Sequence, residues 1–189
     1  MAANPYGIKI TNGTLIKVTD EYIKSQNGHL NIPNTVTTIG NSACSLLTSL
    51  RSVTISDSVT LIKVNALRNC TNLQSITIPC SVQWIEYYAF QYCTSLQSVT
   101  ISDSLQWIED HVFEGCTNLN EIIITLSDPY SYERAERLKS ILPKELQDKV
   151  VFFSPGLDIK GDSPGFFSQS DTSSGSHPEP STSKGLGLG

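Results

Sequence analysis

Hydrophobic residues recur with a period of 23 along the middle of the chain. Three consecutive segments, 50–72, 73–95 and 96–118, align without gaps, and the preceding segment 27–49 fits the same frame more loosely. A fifth copy begins at Leu119 and then departs from the pattern. A repeat of this size cannot bury its apolar side chains alone, so the copies are predicted to stack and to share one continuous core.

Each copy keeps apolar residues at the same places. In the copy that shows the pattern most clearly, these positions are Leu73, Ile76, Ile78, Val82, Ile85, Ala89, Phe90 and Cys93. The segment L-x-x-V-x-I alternates apolar and polar residues and is rich in β-branched side chains, as short strands are. The S-D-S or I-P that follows it is typical of a turn. The repeat therefore predicts one short strand per copy, with its apolar side facing a shared core.

The same columns resemble a known family. The pattern L-x-x-V-x-I-P/S-x-x-V-x-x-I-x-x-x-A/V-F-x-x-C-T-x resembles the BspA-type, or treponemal-type, leucine-rich repeat, most clearly in the copy LQSITIPCSVQWIEYYAFQYCTS. The resemblance covers about residues 13–124, and it departs at Cys44 and Leu47, where the family tends to have Phe and Cys. It implies a leucine-rich repeat solenoid in which short β-strands form a curved parallel sheet on the concave side. It also implies recognition of other macromolecules and no catalytic apparatus.

The period divides the chain into four parts. Residues 27–124 form the repeats, as four full units and a partial fifth, and residues 1–26 are expected to be an irregular N-terminal cap. Residues 125–153 are expected to form a small helical C-terminal cap over the open apolar end of the solenoid. In residues 154–189, Ser, Gly and Pro supply 20 of 36 positions. Such a tail cannot bury enough apolar surface to offset its ordering entropy, so we expect it to be disordered.

Helix signals mark the C-terminal cap. The run Ser127, Asp128 and Pro129 predicts a helix start, with Asp128 as the N-cap and Pro129 in the first turn. Pro143 is expected to end this helix and to open a short second one. Residues 150–153 are expected to fold back as a strand or a plug.

Charge and composition disfavour several classes of protein. Thirteen Lys and Arg against eighteen Asp and Glu give a net charge of −5, which argues against nucleic-acid binding because such surfaces concentrate positive charge. No apolar run approaches the roughly 20 residues of a membrane span. The opening MAANPYGIKI lacks the basic and apolar regions of a secretory signal, and five cysteines without such a signal predict reduced thiols. We therefore expect an intracellular protein, or one delivered into a host cell by a signal-peptide-independent route, with the cell surface less favoured.

The cysteines do not predict a catalytic or metal site. Cys70, Cys93 and Cys116 share one column, so stacked units place them about 4.8 Å apart. The chain has no C-x-x-C, and parallel side chains do not converge as zinc ligands or a disulfide require. We interpret these three as small buried apolar residues. Cys80 occupies a turn position and is the expected exposed thiol, but no His lies in register to activate it.

The remaining titratable residues do not form a site either. His29, His111 and His177 are scattered along the chain, and there is no glycine-rich phosphate loop. Glu86 and Glu109 share one column, which the repeat itself explains as a solvated face rather than an acid–base pair. We therefore expect no catalytic residue, no metal and no cofactor, and we predict that the protein is not an enzyme.

Two surfaces are candidates for binding, and the first is the outward side of the predicted strands. This surface is lined by the hydroxyl groups of Ser and Thr. Such residues favour strand pairing, and the surface could also bind a polypeptide or a glycan. Its two columns are His29, Ser52, Ser75, Ser98 and Glu121, and Asn31, Thr54, Thr77, Thr100 and Ile123.

Large aromatic residues single out the second surface. The column between the core Val and Ile reads Thr38, Leu61, Trp84 and Trp107, so the repeat does not require a large apolar group there. Exposed aromatic residues are enriched at interface hot spots, whereas stacked indoles would also stabilise adjacent units, and the sequence leaves both explanations open. The candidate partner-binding residues are Trp84, Trp107, Tyr87, Tyr88 and Leu61, with Tyr92 nearby.

These observations predict a non-enzymatic protein–protein interaction module whose partner is a protein. BspA-type repeats occur in bacterial effectors, so the resemblance implies an effector that binds a host protein as the narrower form of this function. The alternative is a cell-surface adhesin or host-matrix-binding protein, a role that the family also fills. The identity of the partner and the oligomeric state stay open.

Overall fold

The computed structural model describes residues 7–128 and 130–154, together with the backbone of 166–167. The strands are β1 (Ile8–Thr11), β2 (Thr14–Val18), β3 (His29–Asn31), β4 (Thr38–Ile39), β5 (Ser52–Thr54), β6 (Leu61–Ile62), β7 (Ser75–Ile78), β8 (Trp84–Ile85), β9 (Ser98–Ser102), β10 (Trp107–Ile108), β11 (Glu121–Thr125), β12 (Val150–Phe153) and β13 (Phe166–Phe167). The helices are α1 (Asp20–Ser25), α2 (Tyr132–Ile141) and α3 (Lys144–Gln147). No helix in the described ranges is long and apolar enough to cross a membrane.

Each copy of the repeat folds into one turn of a solenoid and contributes two strands. The first is the predicted one: in β7, Ile76 and Ile78 are buried while Ser75 and Thr77 are exposed. The second strand has only two residues in every copy, and the sequence did not predict it. Two residues cannot show an alternating pattern, so this strand becomes recognisable only when stacking aligns it with its neighbours.

Stacking of the turns produces parallel sheets on two sides of the solenoid. The second strands lie in a six-stranded sheet in the order β1-β2-β4-β6-β8-β10. The first strands form a two-stranded sheet, β3-β5, and a five-stranded sheet in the order β13-β12-β11-β9-β7. Neighbouring copies pair in parallel one full repeat apart, as Ser75 does with Ser98 and Trp84 with Trp107. The predicted solenoid of stacked parallel strands is confirmed, with sheets on two sides instead of one.

The apolar columns of the repeat fill the space between the sheets and form one core. Cys44 and Leu47, where the first copy departs from the family pattern, are buried like their equivalents in later copies. Phe90 and Phe113 share one column, and their rings stack with centroids 5.6 Å apart and planes 10° from parallel. The removal of these columns from water is the main force that holds the turns together.

A turn with two left-handed residues follows the second strand of each copy. The first position holds Ser42, Asn65, Tyr88 and His111, and the second holds Leu46, Asn69, Tyr92 and Gly115, with φ between 55° and 73°. Asn and Gly adopt this backbone with little strain, whereas it costs other residues about 1–2 kcal/mol. Leu46, Tyr88 and Tyr92 therefore occupy their positions against the local backbone preference.

The N-terminal end of the solenoid is closed by ordered structure in residues 7–26, where an irregular cap was expected. Strands β1 and β2 form an antiparallel hairpin, and β2 pairs with β4 to extend the six-stranded sheet. Helix α1 begins after Thr19, whose side chain accepts a hydrogen bond from the N–H of Tyr22. Asp20 accepts hydrogen bonds from the N–H and the hydroxyl of Ser49, at 2.8 and 2.9 Å. These bonds join the cap to the first full turn.

The first helix of the C-terminal cap starts later than predicted. Helix α2 has Ser131 as its N-cap, so the expectation that Asp128 caps it is wrong, and Pro129 lies outside the described residues. The Asp128 carboxylate accepts a hydrogen bond from the N–H of Tyr130 at 2.8 Å and pairs with the guanidinium of Arg134 at 2.7 Å. This carboxylate thus forms a turn before the helix instead of capping it.

The rest of the cap follows the prediction and is anchored by a buried carboxylate. Pro143 is the N-cap of α3, and β12 pairs in parallel with β11. Asp103, whose side chain is fully buried, accepts hydrogen bonds from the N–H and hydroxyl of Ser127 and from the guanidinium of Arg134. The equivalent Asp57 of an earlier copy is exposed, so this junction forms where the cap meets the last turn.

Most of the tail predicted to be disordered, residues 154–189, lies outside the described residues. Ser154 is described and buried. The backbone of Phe166–Phe167 forms β13 and pairs antiparallel with β12. The tail therefore contributes one short strand to the edge of the five-stranded sheet, where β12 offers its backbone hydrogen-bonding groups.

Candidate functional site

The candidate residues come together on the six-stranded sheet. Leu61, Trp84 and Trp107 occupy equivalent positions of adjacent strands and pair in register as direct neighbours. The isoleucine that follows each of them is buried, so the preceding side chain points outward. Trp84 is 43% exposed and Trp107 is 49% exposed. The surface formed by Leu61, Trp84, Trp107, Tyr87 and Tyr88 is called the tryptophan face below.

The two tyrosines form one edge of the tryptophan face. Tyr87 is exposed, and Tyr88 is half-buried because its ring stacks on His111 of the next copy, with centroids 5.5 Å apart. The ring centroids of Tyr87 and Tyr88 are 6.2 Å apart. In the described part of the chain no ring contact joins the two indoles. The aromatic contact that links the third copy to the fourth at this surface is therefore Tyr88 on His111, not one tryptophan on the other.

Two carboxylates lie beside the indoles. Glu86 and Glu109 follow the two tryptophans by two residues, just past the two-residue strands. Their N–H groups continue the ladder to the carbonyls of Ile62 and Ile85, both at 2.9 Å, so each carboxylate starts on the same side as the indole before it. One oxygen of Glu86 accepts a hydrogen bond from the N–H of Val64 at 3.1 Å. The nearby carboxylate of Glu109 raises the pKa of Tyr87 because it favours the protonated hydroxyl. A neutral backbone donor therefore orients the Glu86 carboxylate, and the Glu109 carboxylate lies near the neutral Tyr87 hydroxyl. The sequence had indicated both carboxylates only as part of a solvated face.

Both tyrosines of the left-handed turn in the third copy have strained backbone. Tyr88 and Tyr92 have φ of 60° and 58° at positions where the second copy has Asn65 and Asn69. Asn tolerates this conformation, whereas Tyr is strained in it. Residues of this kind persist where their surroundings hold them, and they cluster at functional sites. Comparison with the two asparagines one repeat earlier is the sequence signal that singles out Tyr92, which the candidate set did not include.

Tyr92 is 39% exposed, and its ring contacts residues of both neighbouring copies. The guanidinium of Arg68 lies 5.8 Å from the ring centroid, within range of a cation–π contact. A Cβ atom on Gly115 would clash with the ring of Tyr92, and the φ of 73° also suits glycine at this position. An aromatic ring of this turn thus already accepts a cationic side chain within the protein.

The hydroxyl-rich outward side of the first strands faces solvent, as predicted. Ser52, Ser75 and Thr77 are exposed. His29 contributes to a small network, with Nδ1 2.8 Å from the Ser52 hydroxyl and Nε2 3.3 Å from the Thr54 hydroxyl. These contacts run across strands, so hydroxyls of this surface help to hold neighbouring copies together.

The cysteine column is buried, and its thiols are free. The sulfurs of Cys70, Cys93 and Cys116 each donate a hydrogen bond to the backbone carbonyl 26 residues earlier, at 3.0, 3.2 and 3.1 Å. Burial raises the pKa of Cys44 to about 12, which keeps this thiol protonated at neutral pH. Cys80 is exposed, as predicted. Among the residues that the structure describes, no group of His, Cys, Asp and Glu has the arrangement of a metal site.

Solved structures share this architecture. A leucine-rich repeat protein from Bacteroides ovatus ATCC 8483 has a TM-score of 0.52 and 26% identity, covering 67% of this chain and 30% of its own. One from Eubacterium ventriosum ATCC 27560 has a TM-score of 0.50 and 21% identity, covering 66% of this chain and 35% of its own. The leucine-rich repeat protein of T. pallidum has a TM-score of 0.51 and 17% identity, covering 65% of this chain and 70% of its own. This chain therefore spans about a third of the length of the first two proteins, and the two weaker identities show the fold alone.

Sequence comparison leads to the same family as the fold. No curated protein sequence matches this chain. A model of the BspA type leucine-rich repeat region matches residues 20–135 with six copies, more than half of the chain. Because the periodic columns, the solenoid that they build and this match all agree, the chain belongs to the BspA-type leucine-rich repeat family.

Proposed function

We propose that the protein is a non-enzymatic protein–protein interaction module that docks its partner on the tryptophan face. The observation that carries this proposal is the exposure of Trp84 and Trp107 side by side on a sheet that does not need them. Thr38 fills the same position in the first copy and pairs in the same register with Leu61. Membership of the leucine-rich repeat family supports a role in protein binding.

The tryptophan face has the properties of an interface anchor. Indoles offer a large apolar area and lose little rotamer freedom when a partner orders them. The residues that follow them, Ile85 and Ile108, are buried in the core, and the paired strands hold the backbone in place. A rigid surface of this kind costs little entropy to bind.

The other chemistry of the described residues supports binding over catalysis. The family and its fold are generally non-enzymatic. Four of the five thiols are buried in the core. Cys80 is exposed, but no described histidine contacts it, and a catalytic thiol requires such a base.

We further propose that the protein acts in a reducing compartment, either inside the producing cell or as a bacterial effector delivered into a host cell. All five cysteines are free, including the exposed Cys80, which fits surroundings that keep thiols reduced. The alternative, a cell-surface adhesin, would place Cys80 in oxidising surroundings. Fractionation of producing cells with immunodetection distinguishes the two, and recovery of the native protein on the outer surface would contradict the reducing compartment.

The docking proposal is tested with a Trp84→Thr/Trp107→Thr variant. Threonine is the natural residue at the equivalent place of the first copy, so the fold should persist. Wild type and variant are immobilised, partner capture from lysate is compared, and captured proteins are identified by mass spectrometry. We expect the variant to lose the partner while its circular dichroism spectrum is unchanged. The matched control, Ser75→Ala/Ser98→Ala, changes residues one repeat apart on the other sheet and should keep the partner.

Two results would contradict the proposal. A folded tryptophan variant that captures every wild-type partner would exclude the tryptophan face and leave the hydroxyl-rich surface as the next candidate. A large fall in melting temperature would instead show that the indoles stabilise adjacent copies, which is the alternative that the sequence left open.

A further inference from the structure

The tryptophan face is bordered by an acidic strip, defined as Glu86, Glu109 and Asp110. Glu86 and Glu109 lie beside the indoles, and Asp110 follows in an exposed position. The ion pairs of the described residues involve other carboxylates, namely those of Asp20, Asp103, Glu114 and Asp128. No described cation pairs with the acidic strip. With Lys63 one repeat before Glu86, the strip keeps a net negative charge beside the exposed aromatic surface.

The repeat alone does not explain this charge. At the position of Glu86 and Glu109, the second copy has Lys63 and the first has Gly40. The carboxylate therefore appears only in the two copies that also carry a tryptophan. The change from Lys63 to Glu86 therefore coincides with the copy boundary at which the tryptophans begin.

We infer that the tryptophan face binds a segment of a partner protein that presents arginine or lysine side chains to the indoles and the acidic strip. This inference rests on the proposed function and specifies the chemistry of the partner at the same surface. A cation above an indole is attracted to the negative face of the ring, by about 0.5–2 kcal/mol. A carboxylate beside the ring adds Coulomb attraction and accepts the N–H donors of the cation.

The carboxylates are already arranged for such a ligand. The N–H of Val64 donates to Glu86, and Glu109 lies near the neutral hydroxyl of Tyr87. Neither carboxylate forms an ion pair with a described cation. Acceptor side chains that are already ordered lose less conformational entropy when a guanidinium binds. The contact of Arg68 with Tyr92 is the same pairing of guanidinium and ring within this solenoid.

The two tryptophans of the chain both lie on this face, so intrinsic indole fluorescence reports on it directly. The full-length protein is titrated with a short synthetic peptide in which arginine and serine alternate. A second peptide carries citrulline, which keeps the shape of arginine and removes its charge. We expect the arginine peptide to change the fluorescence saturably and the citrulline peptide to leave it unchanged.

The acidic strip is tested with a Glu86→Gln/Glu109→Gln variant. Glutamine keeps a carbonyl oxygen to accept the hydrogen bond from the N–H of Val64, and both positions are only half-buried, so the fold should persist. We expect the variant to bind the arginine peptide about tenfold more weakly, the effect of two modest ion pairs. The matched control is Glu21→Gln/Glu133→Gln, which removes the same charge from exposed positions on α1 and α2. It should bind like the wild type.

Several results would overturn the inference. One is a fluorescence signal that shows no saturable response to the arginine peptide. Another is equal binding of the citrulline peptide. The third is equal weakening of arginine-peptide binding in the two double variants. A fluorescence change that depends on protein concentration without peptide would assign the face to a second copy of this chain. If the tryptophan variant loses its captured partner while Glu86→Gln/Glu109→Gln keeps it at full strength, the proposed function stands and the cationic partner segment is excluded.

Discussion

The buried phenylalanine column provides the sharpest test of the core. Phe90 is completely inaccessible to solvent, and its ring stacks on Phe113 at a centroid distance of 5.6 Å. The N–H of Phe90 donates to the carbonyl of Val112 in the next copy at 3.0 Å. Because backbone hydrogen bonds set the spacing of the turns, the neighbouring copies cannot close the gap that Phe90→Ala would leave.

We expect Phe90→Ala to lower the free energy of unfolding by about 3–5 kcal/mol. The loss combines the burial of the ring with the residual cavity, and the missing ring pair accounts for about 0.5–1.5 kcal/mol of it. Leu67 is the equivalent residue of the preceding copy and is equally buried. Phe90→Leu should therefore cost less than about 1.5 kcal/mol.

Urea unfolding followed by far-ultraviolet circular dichroism measures these differences, provided that the m-values of the variants agree. The control is Thr77→Ala, which lies on the exposed side of β7 and should change stability by less than about 0.5 kcal/mol. Phe90→Leu keeps a large apolar side chain at this position. Its comparison with Phe90→Ala therefore separates the cost of the cavity from the cost of replacing the phenylalanine.

Equal destabilisation by Phe90→Ala and Thr77→Ala would refute the inward and outward assignment of the repeat columns. A loss below about 1 kcal/mol for Phe90→Ala, with an unchanged m-value, would show that the turns do close around the cavity. The argument from fixed spacing between copies would then be wrong.

Three further predictions concern other parts of the solenoid. Asp103→Ala should cost about 2 kcal/mol because it removes the buried anchor of the C-terminal cap, whereas Asp57→Ala, at the exposed equivalent, should have little effect in the same urea assay; equal losses would contradict the junction. Leu46→Asn should raise stability by about 1 kcal/mol in thermal unfolding, since Asn69 shows that the left-handed position suits asparagine; a lower melting temperature would mean that the leucine makes a stabilising contact. In the folded protein Cys80 alone should react rapidly with Ellman's reagent, and all five thiols should react after denaturation; rapid labelling of more than one native thiol would show that the core opens.

Periodicity explains why so much of the fold was predictable from the chain. Every column that stays apolar through the copies is a column that every turn must bury, so residues such as Ile76, Phe90 and Cys93 could be assigned to the core without coordinates. The same argument placed Ser75 and Thr77 outside. The signals at Pro143 likewise act locally, since proline restricts its own backbone, and the short second helix starts there.

Local signals were insufficient where several residues competed. Asp128 has the chemistry of an N-cap, but its carboxylate accepts from the N–H of Tyr130 and pairs with Arg134, and the helix begins at Tyr132. The hairpin in residues 7–26 has no repeat to reveal it, and it forms because the six-stranded sheet offers β2 an edge to extend. Both outcomes depend on partners that sequence spacing does not identify.

The sequence by itself determined the period, the core columns, the solenoid and the identity of the aromatic candidates, because each follows from the repetition of apolar residues along the chain. Only the tertiary structure decided that the two-residue strands form a second sheet, that Trp84 and Trp107 lie on it without stacking, and that Glu86 and Glu109 lie beside them unpaired with any described cation. The physical reason is that these properties depend on how neighbouring turns align. Strand register, side-chain exposure and the distance between charges depend on how one copy packs against the next. The sequence pattern describes only the order of residues inside a single copy.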